Sequence, residues 1–262
     1  MYKGDVVQNK CFDELERFIS KSRLSTYRHA MDQQNTLKVI GHYIYNTKLS
    51  ENFYLLLQNF EVTLRNAIYL AYNNKYPEKS FYFLHETDSR NRYLQKKEFH
   101  SRECWKMLCG ARHKLIKKSS SVNNGKLTAE LNFGFWSKLM STHHANYVTM
   151  WHQIFFDVFP HYPYKYPVDK AIVDIENKIN KIRRFRNRIF HYEPIFNHEN
   201  LHAMHKDIIE ILGWISPELQ KLSLAFDEFD DIVHSKKKIN KKLQRLYVTA
   251  KKNRDHLKQK KR

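Results

Sequence analysis

Residues 168–194 constrain the fold more than any other stretch. Ile172, Ile175, Ile179 and Ile182 recur every three or four positions, the apolar stripe of a helix that begins near Val168. Pro194 cannot sit inside such a helix and drives Glu193 out of the α region, so the helix is expected to end near His191. Its last turns carry Arg183, Arg184, Arg186, Asn187, Arg188 and His191. This polar cluster falls at a helix end, where side chains face a cleft rather than a core.

Helical spacing sorts the cluster. Asn187 and Arg188 lie four and three residues before His191 and share its face. Arg186 is five residues before it, about 140° around an ideal helix, so a long guanidinium arm or a loosened last turn is needed to bring the two together. An imidazole near its ordinary pKa can move the proton of a ribose 2′-OH or of a leaving 5′-oxygen. A guanidinium can stabilise the extra charge on a pentacoordinate phosphate. That chemistry is RNA cleavage, and it requires no metal. The competing explanation is plain electrostatics: cations gather at helix C-termini because the helix dipole favours them there.

The charge balance points the same way. The chain of 262 residues carries a formal charge of +19, which makes polyanions, nucleic acid first among them, the natural partners. Residues 236–262 hold thirteen Lys or Arg against the single acid Asp255, so +12 of that charge lies in the tail and +7 in residues 1–235. Ile239, Leu243, Leu246 and Val248 allow a helix at the start of this arm, with its final residues disordered unless bound. Lys236, Lys237, Lys238, Lys241, Lys242, Arg245, Lys251 and Lys252 are its candidate RNA-backbone contacts. An anionic membrane surface is the weaker partner, because the arm lacks a sustained apolar face. No run of apolar residues is long enough to span a bilayer, the first residues lack an apolar signal core, and three cysteines without a Cys-x-x-Cys pair fit a reducing compartment. A soluble, cytoplasmic protein is expected.

Only six Gly and six Pro, with 42% apolar residues, favour helices around a real core. A short helix is expected over 11–20 and a second around Val39, Ile40, Tyr43 and Ile44. Ser50 is a plausible N-cap for a long run from Glu51 to Tyr72, in which Glu61 and Arg65 stand at i, i+4 and can form a surface ion pair. The stretch 76–93 is aromatic and irregular, and 90–118 is a basic amphipathic helix or helix pair. A Ser-rich loop follows over 119–125. Phe133, Phe135, Trp136 and Leu139 read as core rather than as a base-stacking platform. The apolar helix 151–159 is stopped by Pro160, and the tyrosines of the connector 161–167 are candidate stacking partners for unpaired bases. His198, His202 and His205 share one helical face, but no acidic or Cys partner is near, and they read as structural or surface residues; no metal or other cofactor is expected. Residues 208–224 form the last core helix, broken at Pro217.

Three strings carry a family likeness. Arg-Asn-Arg-Ile-Phe-His-Tyr-Glu-Pro-Ile, residues 186–195, resembles the Arg-Asn-x-x-x-His signature of the Abi-like abortive-infection proteins (AbiD and AbiF type) of the HEPN superfamily. Residues 60–68, with Glu61, Arg65 and Asn66, resemble that family's Glu-x-x-x-Arg-Asn helix, and residues 131–139 its Phe-Gly-x-Trp segment. Trp151 and Phe159-Pro160 follow in the expected order, and the likeness spans roughly residues 15–220.

The resemblance implies an all-α, HEPN-type helical bundle with additional helices over 1–235, followed by the Lys/Arg-rich arm 236–262. It implies a metal-independent endoribonuclease toxin of bacterial antiphage defence, controlled by a bound antitoxin, for which the basic tail suggests a small RNA. Arg186 would bind the scissile phosphate, His191 would act as acid or base and Asn187 would position one of them. Glu61, Arg65, Arg188, Tyr192 and Glu193 are supporting residues, Glu61 by holding Arg186 or fixing the His191 tautomer. A homodimer joining two motifs is implied too. One alternative is a non-catalytic RNA-binding protein that uses the same basic surface, and another is a structural helical protein whose tail binds ribosomes or nucleoid.

Overall fold

The computed structural model describes residues 14–31, 35–77, 100–118, 122–163 and 167–259, the last ten by backbone alone. The expectations for residues 11–13, for 78–99, for the loop residues 119–121 and for Tyr164 and Tyr166 lie outside that range. Among the described residues the protein is all-α and no strand occurs. In chain order the helices are α1 (residues 14–19), α2 (Lys21–Met31), α3 (Thr36–Lys75), α4 (Arg102–Lys117), α5 (Asn124–Glu130), α6 (Phe133–Leu139), α7 (Ala145–Val158), α8 (Val168–Phe190), α9 (Leu201–Ile215), α10 (Pro217–Ala225), α11 (Phe229–His234) and α12 (Lys236–Gln259). None is both long and apolar enough to cross a membrane.

The chain forms two compact units. One comprises Met1–Tyr54, Arg188–Leu201 and Asp227–Arg262, the other Leu55–Asn187 and His202–Phe226. Two helices are shared: α3 passes from the first to the second, and α8 back again.

The first unit is built around Leu24, Tyr27 and Val39, with Ile19, Tyr43 and Phe196 packed on them. Phe196 stacks on Tyr27 with ring centroids 5.5 Å apart. Phe53 meets Phe229 edge to face, and the Tyr45 hydroxyl donates to the Val233 carbonyl at 3.3 Å. The arm belongs to this unit as a helix that runs to Gln259, further than the sequence suggested. It packs close to α3 because Gly41 has no side chain there: a Cβ would stand 2.0 Å from Asn240 Oδ1.

The second unit has the larger core. Phe60, Leu64 and Ile68 of α3, Phe133, Phe135, Trp136 and Leu139 of α6, and Trp151, Ile154 and Phe155 of α7 are all buried. So are the α8 stripe residues Ile172, Ile175, Ile179 and Ile182. The α6 aromatics are thus core, as their density suggested. Trp151 donates its indole N–H to the Leu139 carbonyl at 2.7 Å, satisfying the polar atom of a buried ring. Asn132 caps α6 by accepting from the Phe135 N–H at 3.3 Å, and Gly134 leaves room for that cap. Lys178 of α8 pairs with Asp207 of α9. Tyr162 is a correction: it is buried against Phe155 and Trp214, so it offers no surface to a base.

Candidate active site

The motif sits at the end of α8. Within the second unit, Arg186 Nη2 lies 3.4 Å from Glu61 Oε2 of α3, both side chains about four-fifths buried. Glu61 therefore reaches across to Arg186 rather than along its own helix to Arg65, which is where a simple i, i+4 pair would have gone. Removing either partner leaves a largely desolvated charge, so this pair fixes the guanidinium more firmly than a surface ion pair would. Asn187 is half-buried, as is Arg65.

The rest of the motif belongs to the first unit and forms a built turn. The Tyr192 N–H donates to the Ile189 carbonyl at 2.9 Å and the Glu193 N–H to the Arg188 carbonyl at 2.8 Å. These two bonds are those of a Schellman helix end, whose left-handed residue is here Tyr192, with φ 58°. A tyrosine in that conformation meets the Cβ–carbonyl crowding that glycine avoids. Arg188 closes the turn: Nη2 donates to the Pro194 carbonyl at 2.7 Å and Nε faces the Glu193 carboxylate at 3.6 Å. Arg188 and Glu193 are thus engaged in shaping the loop. His191 projects from this turn exposed to solvent.

Residues that sequence reasoning passed over hold the turn in place. Arg23 of α2 donates to the Tyr192 carbonyl. Asn46, buried within α3, accepts from the Ile195 N–H at 2.6 Å and the Phe196 N–H at 3.2 Å, so one side chain satisfies two loop donors. Neither left a signal in the sequence: Asn46 is followed by the polar Thr47 and Lys48, and Arg23 is one of many basic residues. His198 has an arginine among its electrostatic neighbours: burial first, and then the Arg188 guanidinium, hold its imidazole below the usual value. His198 precedes α9, so it does not share a helical face with His202 and His205 as its spacing suggested.

On the arm, Lys236, Lys237, Lys238, Lys241, Lys242 and Arg245 are exposed, while the side chains of Lys251 and Lys252 lie outside the described residues. No group of three or more His, Cys, Asp or Glu among the described residues is arranged to hold a metal ion. Comparison of the chain with protein-family models, with curated proteins and with solved structures finds no match in any of the three.

Proposed function

We propose that the chain is a metal-independent endoribonuclease of the HEPN, Abi-like type, a cytoplasmic toxin of antiphage defence held in check by a bound RNA. The observation that carries this reading is the Glu61–Arg186 pair at 3.4 Å. It orients an arginine of the motif with a largely buried carboxylate from another helix, which is what a phosphate-binding arginine needs before substrate arrives. The exposed His191 at the end of the same helix supplies the proton-transfer group. In this proposal His191 moves the 2′-OH proton or protonates the leaving 5′-oxygen, Arg186 stabilises the phosphorane charge, and Asn187 orients one of them. Attack by the 2′-oxygen leaves a 2′,3′-cyclic phosphate and a 5′-hydroxyl. The approach of the guanidinium to the imidazole, and the dimer, are part of the proposal.

The exposed lysines of α12 favour a second reading, RNA binding without cleavage. Incubation of purified protein with RNA in EDTA separates the two. The nuclease reading expects His191→Ala to lose cleavage by about 100-fold or more with RNA affinity unchanged. Glu61→Gln is expected to lower cleavage by about 10- to 100-fold through misplacement of Arg186.

A further inference from the structure

The turn that carries His191 is flanked by aromatic rings that contribute little to the core. Phe190, immediately before it, is 37% exposed and stacks on Tyr54, itself 49% exposed, with centroids 5.4 Å apart and ring planes 29° from parallel. Tyr192, immediately after it, is 76% exposed. Packing therefore does not account for the choice of tyrosine at a left-handed position, where glycine or asparagine costs less. The conformation is instead enforced from outside, by Arg23 on the Tyr192 carbonyl and by Arg188 across the loop, so the ring is held out in solvent.

Exposed aromatic faces beside cationic side chains bind unpaired bases, because every base has a π face and its phosphate follows the positive charge. The exposed cations of α12 lie in the same unit as these rings. We infer that Tyr54, Phe190 and Tyr192 form a stacking platform for an unpaired base of single-stranded RNA, which sets the adjoining sugar-phosphate at His191. This deepens the proposed nuclease reading and rests on it for the identity of the strand. It makes the substrate class a loop or single strand, since bases inside a duplex have no free face to offer.

The test uses the full chain and an uncleavable 2′-O-methyl oligoadenylate, the same strand with its central bases removed, and fluorescence anisotropy. Wild type is expected to bind the base-bearing strand about 10-fold or more tighter than the abasic one. Tyr192→Gly should bring that ratio towards one while leaving abasic affinity and its salt dependence unchanged, Tyr54→Ala should reduce it, and Tyr192→Phe should keep it. Tyr192→Gly fits the left-handed backbone, so loss of the ratio without loss of thermal stability is not a folding defect. Equal binding of both strands by wild type, an unchanged ratio in Tyr192→Gly, or no binding of either strand overturns the platform. So does a dimer that dissociates on the Tyr192 and Tyr54 substitutions without any base preference, which would give the surface to a second copy of the chain. Base-dependent binding without cleavage keeps the platform and removes the nuclease. EDTA-resistant, His191-dependent cleavage with no base preference does the reverse.

Discussion

At the scale of single residues, the motif turn is a strained conformation held by specific bonds. Tyr192→Gly should raise stability by about 1 kcal/mol, by relieving a left-handed backbone, and a higher melting temperature checks it. Asn46→Ala leaves two loop N–H groups without their acceptor and should cost about 1–3 kcal/mol by urea denaturation. Arg186 was a candidate from the sequence, whereas for Glu61 the sequence allowed a surface pair with Arg65, a hold on Arg186 or a hold on the His191 tautomer; the ion pair it makes is with Arg186. The role of Asn46 was not legible, because its partners lie about 150 residues away in the chain and only folding brings them together. Elsewhere, His100 is fully buried against Phe135 and Tyr147, and burial first, then the nearby His144, lower its pKa to about 4. The unfolded chain takes up that proton at its ordinary value of 6.5, so stability is complete above that pH and falls as pH drops towards about 4. A loss on the order of 3 kcal/mol is expected across this window, and His100→Phe should flatten a large part of it in denaturation curves measured between pH 7 and pH 4.

At the scale of elements, the sequence marked the right apolar faces but placed some boundaries wrongly. α8 begins and ends where its isoleucine stripe and Pro194 indicated. Ser216 and Pro217 likewise end one helix and open another, Ser216 accepting from the Leu219 N–H. α3 is different: the expected break at Ser50 does not occur, and one helix of 40 residues runs from Thr36 to Lys75. Ser50 is a good cap in isolation, but Leu49, Phe53, Leu56, Leu57 and Phe60 continue one buried face through it, and burial of that face outweighs the local preference. Gly41 lies in the same helix, and its value is room for α12. Gly41→Val should push α12 from its seat, and amide exchange protection over residues 236–243 should fall while that of α6 and α7 stays unchanged. Equal loss of protection everywhere would mean that α12 is no more than one part of a global transition.

At the scale of the molecule, low Gly and Pro content with helical apolar spacing was enough to indicate the all-α fold of the described residues, and the basic arm was plain from charge alone. The division into two units was not legible, since each is assembled from segments far apart in sequence. The arm's place in the first unit also escaped a reading that took charge as the boundary. Charge still governs what it does: each arm lysine that contacts a phosphate should add about one unit to the slope of log affinity against log salt. Replacing Lys241 and Lys242 by Ala should lower that slope by about two, without altering the cleavage products. The central claim is that the end of α8 cuts RNA, and its most direct measurement is end analysis of total RNA incubated in EDTA with wild-type and His191→Ala protein. Fragments with 2′,3′-cyclic phosphate and 5′-hydroxyl ends from wild type, absent with His191→Ala although the variant still binds RNA, are the predicted result. Intact RNA with wild type, or the same fragments with His191→Ala, would contradict it.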